Sequence, residues 1–68
     1  MTSPRFPQLH IRLHSRNPLA MVSAVRLAMR RSRMGHDVID TFTEEALGQD
    51  EPGQIRQVCA NWAQVEVT

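Results

Sequence analysis

Few side chains in this 68-residue sequence could do covalent or metal chemistry: one cysteine, three histidines and seven carboxylates. Cys59 would need a neighbouring base to act as a nucleophile. It falls instead in the stripe Ile55, Val58, Cys59, Trp62, whose i, i+3, i+4, i+7 spacing is that of a helix face turned to a core. A buried cysteine behaves as a small hydrophobe. His10 and His14 share one side of an alternating segment, but four strand residues separate them by about 13 Å, too far for a single metal ion. Glu44 and Glu45 are adjacent and point in different directions on a helix, which makes a poor acid/base pair. No glycine-rich loop is present to cradle a phosphate. The sequence therefore predicts no enzyme, with no catalytic, cofactor-binding or metal-binding residue and no cofactor.

The arginines are the more informative set. Residues 1–36 carry Arg5, Arg12, Arg16, Arg26, Arg30, Arg31 and Arg33 and no acid, whereas residues 37–68 carry seven acids against Arg56 alone. The net charge of +1 conceals this split. It suits either internal pairing of two oppositely charged halves or a surface for another macromolecule. With no lysine, every permanently cationic side chain is a guanidinium, able to grip carboxylate or phosphate bidentately. Arg26, Arg30 and Arg33 are expected to line one side of a first helix and form the candidate interaction surface. Arg30, Arg31 and Arg33 would also complement the negative end of that helix, a structural reason for their presence. Arg56, Gln57 and Asn61, with Gln64, would lie on the outer face of a third helix, where such side chains can read base edges. Asp50 and Glu51 at the start of that helix, and Glu44 and Glu45 before it, would repel phosphate. A protein partner is favoured over nucleic acid on that ground.

These residues need elements to hold them. Residues 9–14 alternate, with Leu9, Ile11 and Leu13 on one side and His10, Arg12 and His14 on the other, which predicts a half-buried strand. Val65, Glu66 and Val67 alternate likewise. The two short strands are expected to pair within the chain or between chains, because a lone strand leaves its backbone unsatisfied. Asn17 and Pro18 form an N-cap and first-turn signal. In the helix they open, Met21, Val22, Val25, Ala28 and Met29 share a broad face. Ala20, Ala24 and Leu27 make another small or apolar side, so this helix is expected to be covered on two sides. Gly35 would cap a second helix, with Met34 and Ile39 as a hydrophobic staple, Asp37 and Asp40 in the first turn, and Val38, Ile39, Phe42 and Ala46 facing inward. Gly48 would stop it. Asp50 would cap the third helix, with Glu51 and Pro52 in its first turn.

The fold class expected is mainly α: a three-helix domain with short N- and C-terminal β-strands. Residues 1–8 would be a flexible N-terminal arm and 9–68 a single small helical domain. Its core would come from Met21, Val22, Val25, Met29, Ile39, Phe42, Ile55, Val58 and Trp62. A chain this short buries only about 60% of the surface it exposes when unfolded, so its core is near the lower limit for independent stability. The two-sided first helix therefore points to a homodimer. Met21, Met29, Met34 and Trp62 could make an adaptable contact surface, but methionine at helical spacing is more often core filler. No apolar run approaches the roughly 20 residues needed to span a bilayer. With no leader-like stretch near the N-terminus, the expected location is the cytoplasm.

Several of these features occur together in a known pattern. The early strand, Asn17 with small and apolar residues after it, Ala-Val-Arg-Leu-Ala-Met-Arg-Arg at 24–31, Ile-Asp-Thr-Phe at 39–42, Glu45-Ala46 before Gly48, and Cys59 and Trp62 ahead of the terminal valines run in one order. In this the chain, over about residues 9–67, resembles a widespread group of very small, functionally uncharacterised bacterial and phage proteins. Their pattern runs roughly Gly-Asn-Ala-Phe, Ala-Leu-Arg-Arg-Ala, Ile-Asp-Glu-Phe, Glu-Ala, Gly-Asp-Tyr-Asp-His and Trp-Val. This chain departs from it after Gly48, where Gln-Asp-Glu-Pro-Gly at 49–53 replaces the Gly-Asp-Tyr-Asp-His stretch. The resemblance implies no activity; it implies a phage or mobile-element context, where tiny proteins often act by binding a larger partner. The expected function is a non-enzymatic binding or adaptor protein, homodimeric and working through protein–protein contacts. The alternative is a small DNA-binding accessory or regulatory protein using the arginine-lined helix face.

Overall fold

The computed structural model describes residues 4–68 in the order β1 (Phe6–Leu13), α1 (Pro18–Arg31), α2 (His36–Leu47), α3 (Pro52–Trp62) and β2 (Ala63–Val67). The fold is mainly helical, with one two-stranded sheet formed by β1 and β2. Residues 1–3 of the expected arm lie outside the described residues. Strand β1 begins at Phe6, three residues before the alternation becomes visible, and so takes in Phe6–Gln8 of that arm. Arg5 already donates its backbone N–H to the carbonyl of Asn61 at 2.8 Å.

The strands pair in parallel. Parallel neighbours cannot be joined by a tight turn and need a long crossover, which here is the whole three-helix segment. His10 to Leu13 run in regular register with Gln64 to Val67, while Phe6 stands opposite Ala63 across an irregularity. Pro7 lies inside that irregularity. It has no N–H to give a ladder, so the sequence itself requires a break there.

The helix starts follow local chemistry. Asn17 accepts from the N–H of Leu19 through its side chain at 2.9 Å, and Pro18 occupies the first turn. Gly35 caps α2, with Asp37 alone as the first-turn acid; Asp40 sits one step further in. The cap of α3 is Glu51, not Asp50, because Pro52 takes the first helical position, where its missing N–H costs nothing. Gly48 closes α2 with right-handed backbone (φ −78°), so left-handed freedom is not why glycine is there. A Cβ at Gly48 would approach the Glu44 carbonyl oxygen to 2.9 Å, and that closeness is the reason.

All predicted core residues are buried except Ile55, which is half-buried. Leu9, Ile11, Ala46, Cys59 and Ala63 join them, so the sheet contributes to the interior as fully as the helices. Trp62 stands at the seam where α3 becomes β2. Its ring meets Phe42 of α2 edge-on at 5.6 Å and Phe6 of β1 at 5.9 Å. Its indole N–H donates to Glu45 Oε2 at 2.8 Å. The guanidinium of Arg5 lies 4.3 Å above the ring, within cation–π range.

Trp62→Ala should cost about 3–5 kcal/mol by opening a cavity where three elements meet. Denaturant unfolding monitored by helical circular dichroism is expected to show a largely unfolded variant. Trp62→Phe should keep the fold and lose about 1.5–3 kcal/mol, the value of a hydrogen bond to a charged acceptor such as Glu45. An alanine variant nearly as stable as the parent would place Trp62 outside the core.

Candidate functional site

Within the single chain, the internal pairing that the charge split allows is confined, among the described residues, to Glu66 of β2. Among the described residues the only contacts of a carboxylate with an arginine or histidine are His10 Nε2 to Glu66 Oε1 at 3.2 Å and Arg12 Nε to Glu66 Oε2 at 3.4 Å, both exposed. Helix α2 has acids as its only permanently charged side chains and α1 has only arginines. They sit in one fold without an ion pair between them among the described residues.

The arginine face is not the one that periodicity suggests. Arg30 is exposed in the last turn of α1, and Arg26 is half-buried with its Nε shielded from solvent and without a hydrogen-bond partner. Arg33 is not on the helix at all. Helix α1 ends at Arg31; Arg33 then takes left-handed backbone (φ 59°). The N–H of Arg33 bonds to the Arg30 carbonyl and that of Met34 to the Met29 carbonyl, at 3.0 and 3.1 Å. This is a Schellman ending, with half-buried Met34 as its hydrophobic partner for Met29. The left-handed position usually belongs to glycine, since a Cβ there costs about 1–2 kcal/mol.

The residues expected to read nucleic acid are partly engaged with one another. Gln57 donates through Nε2 to Asn61 Oδ1 at 3.0 Å, a pairing one turn apart on α3. Arg56 is half-buried and reaches the Arg16 carbonyl at 3.5 Å. The histidines do not converge. His10 is on β1 beside Glu66, while His14 lies past the strand with Nδ1 2.8 Å from the Thr68 hydroxyl. Among the described residues no three metal-ligating side chains come together. Cys59 is fully buried, and that burial pushes its thiol up to about 11, so it is un-ionised at neutral pH.

One feature escaped sequence reasoning. The outer edge of β1 has no strand beside it, and a groove of about 360 Å³ runs between that edge and α1. Its walls include His10 and Arg12 from the strand and Ala24, Leu27, Ala28 and Arg31 from the helix. Within the single chain, the side of α1 that carries Ala24 and Leu27 is the open wall of a groove, with Leu27 49% exposed. The alanines and Leu27 were visible as a stripe, but only the strand order shows that an unpaired edge faces it.

No protein-family model, curated protein or solved structure matches this chain.

Two outcomes follow from this geometry. Arg33→Gly should stabilise the protein by about 0.5–1 kcal/mol. It relieves about 1–2 kcal/mol of left-handed strain and returns part as unfolded-state entropy. A thermal midpoint that falls would mean the Arg33 side chain carries more stability than its backbone costs. The Glu66 carboxyl is held below its ordinary range by the His10 hydrogen bond and charge, with Arg12 adding to it. A depressed folded-state value stabilises the fold above the unfolded value and is lost as pH falls through the folded one. Thermal midpoints scanned from pH 6 to 3 should therefore drop less steeply for Glu66→Gln than for the parent. Parallel acid limbs would show that the pair contributes nothing to folding.

Proposed function

We propose that this chain is a non-enzymatic binding or adaptor protein that acts through protein–protein contacts and presents its arginine-bearing β1–α1 side to a partner. The carrying observation is that, among the described residues, only Arg12 of the eight arginines is ion-paired to a carboxylate. Arg30, Arg31 and Arg33 remain exposed cations around the end of α1. Arg33 supports the reading in a second way: it occupies a backbone position where glycine would be less strained, as expected of a side chain retained for a contact.

A homodimer is part of this proposal. The outer edge of β2 is unpaired as well, and a groove of about 340 Å³ beside it is lined by Met21, Ala60, Val65 and Val67 among others. A two-fold axis near Val65 would place Glu66 of one copy opposite Gln64 of the other, so the paired strands themselves set no like charges opposite each other. Two such chains would bury apolar surface that so small a domain otherwise leaves in water. A phage or mobile-element setting, taken from the resemblance, suits an accessory protein of this kind.

The alternative is a DNA-binding accessory protein, favoured by the same exposed guanidiniums, which suit phosphate. Against it stand the mutual Gln57–Asn61 pairing and the acids Asp50 and Glu51 at the start of α3. Fluorescence anisotropy with labelled duplex DNA at about 50 and 200 mM salt separates the two. An adaptor should give little binding at either. Binding that weakens by about a thousandfold or more across that range would establish phosphate contacts and overturn the protein-partner reading. Light scattering on the same samples should return the dimer mass; a monomer at every concentration removes the homodimer from the proposal.

A further inference from the structure

We propose that the free edge of β1 receives an extended, acidic segment of a partner protein as a third strand of the sheet. This rests on the adaptor reading above and names the partner's chemistry and the place it docks.

Backbone geometry prepares the edge. The N–H of Thr68 donates to the Leu13 carbonyl at 2.8 Å, so Leu13 turns its carbonyl toward β2. Neighbouring residues of a strand in a parallel ladder direct their backbone groups to opposite sides. Arg12 and His10 therefore offer N–H and C=O outward, where no strand lies. The register irregularity between Phe6 and His10 sets the lower limit of the regular edge. The span from Gln8 to Leu13 admits a segment of about five residues at roughly 3.3 Å each.

Side chains define what such a segment must carry. On the helix side, the added strand would lie over Ala24, Leu27 and Ala28, small or apolar residues that leave room for apolar side chains. On the other face it would lie beside exposed His10 and Arg12, with Arg31 on the helix wall. Strand β2 already shows the pattern this face accepts: Gln64 and Glu66 alternate with Val65 and Val67, and Glu66 pairs with both His10 and Arg12. Arg12 contacts Glu66 through Nε, and a guanidinium has further donors in its fork for a second carboxylate. A strand alternating acidic and apolar residues satisfies both faces at once.

Charge also selects against a second copy at this place. Joining two β1 edges about a two-fold axis would set His10 and Arg12 against their own kind and bring together the exposed arginines of two α1 helices. Adding an intact copy's β2 would match charge, but that strand follows α3 without a linker. The contact would also be head-to-tail, giving a ring or an open filament in place of a two-fold dimer. Charged edge residues are a common device against self-association. Here they leave the edge open to an acidic strand.

The test uses the full chain and capped seven-residue peptides: one alternating glutamate and valine, the same with lysine for glutamate, and the glutamate peptide with N-methylated amides on its docking edge. Amide exchange followed by NMR should slow by about tenfold or more at His10 and Arg12 with the first peptide only. Arg12→Glu and Arg31→Glu, both exposed substitutions checked for unchanged helical signal, should abolish that protection. The doubly substituted protein should accept the lysine peptide instead. The proposal is overturned by no protection at millimolar peptide, by equal binding of both charges, or by binding of the N-methylated peptide. It is also overturned by species larger than a dimer assembling through the β1 edge. The adaptor reading fails separately, through salt-steep DNA binding by the unmodified chain.

Discussion

The parallel pairing of the chain's two ends is the constraint on which the rest of the fold depends. Strands in this orientation cannot be consecutive, so every residue between them belongs to the crossover, and its three helices must return β2 to the side of β1. Only one face of such a sheet can be covered by its own crossover. Leu9, Ile11 and Ala63 are therefore buried, while His10, Arg12 and Glu66 stay at the surface. Trp62 enforces the closure. It ends α3, stands immediately before β2, touches Phe42 and Phe6, and is capped from outside by Arg5. The two terminal strands are tied down here by one aromatic side chain and a few ladder hydrogen bonds.

Much of the architecture was legible because it is local. Asn17-Pro18 is a helix start whatever surrounds it, and the stripes of α1, α2 and α3 follow from periodicity alone. The 9–13 alternation is likewise self-contained. What could not be read depends on contacts distant in sequence or on backbone detail. Phe6 looks like part of a polar, proline-bearing arm until Trp62 is placed beside it. Arg33 continues the helical spacing of Arg26 and Arg30, yet the chain turns left-handed there, since Met34 must fold back onto Met29. Glu51 displaces Asp50 as cap because Pro52 fixes which residue comes first in the helix. Of the candidate surface, the arginines were evident from type and number. The groove, which is lined by Arg12 and Arg31 and not by Arg26, Arg30 or Arg33, was not, because an unpaired edge is a property of strand order.

The charge split gains its meaning from that edge. In a chain whose halves neutralised one another, segregated charge would be a folding device, and the surface would carry no instruction for a partner. Here the acids of α2 and the arginines of α1 belong to one small body and do not pair among the described residues. The charge of the β1–α1 side is thus left largely uncompensated within the chain, and under the proposed function its field would steer encounters and reject like-charged surfaces. A two-stranded sheet is incomplete at both edges, and an unguarded edge invites indiscriminate strand addition. Under the proposed function, cations along one edge and valines with a single glutamate along the other would suit the two edges to different partners. On that proposal, the same incompleteness that makes so small a sheet marginal would separate self-recognition from recognition of another chain.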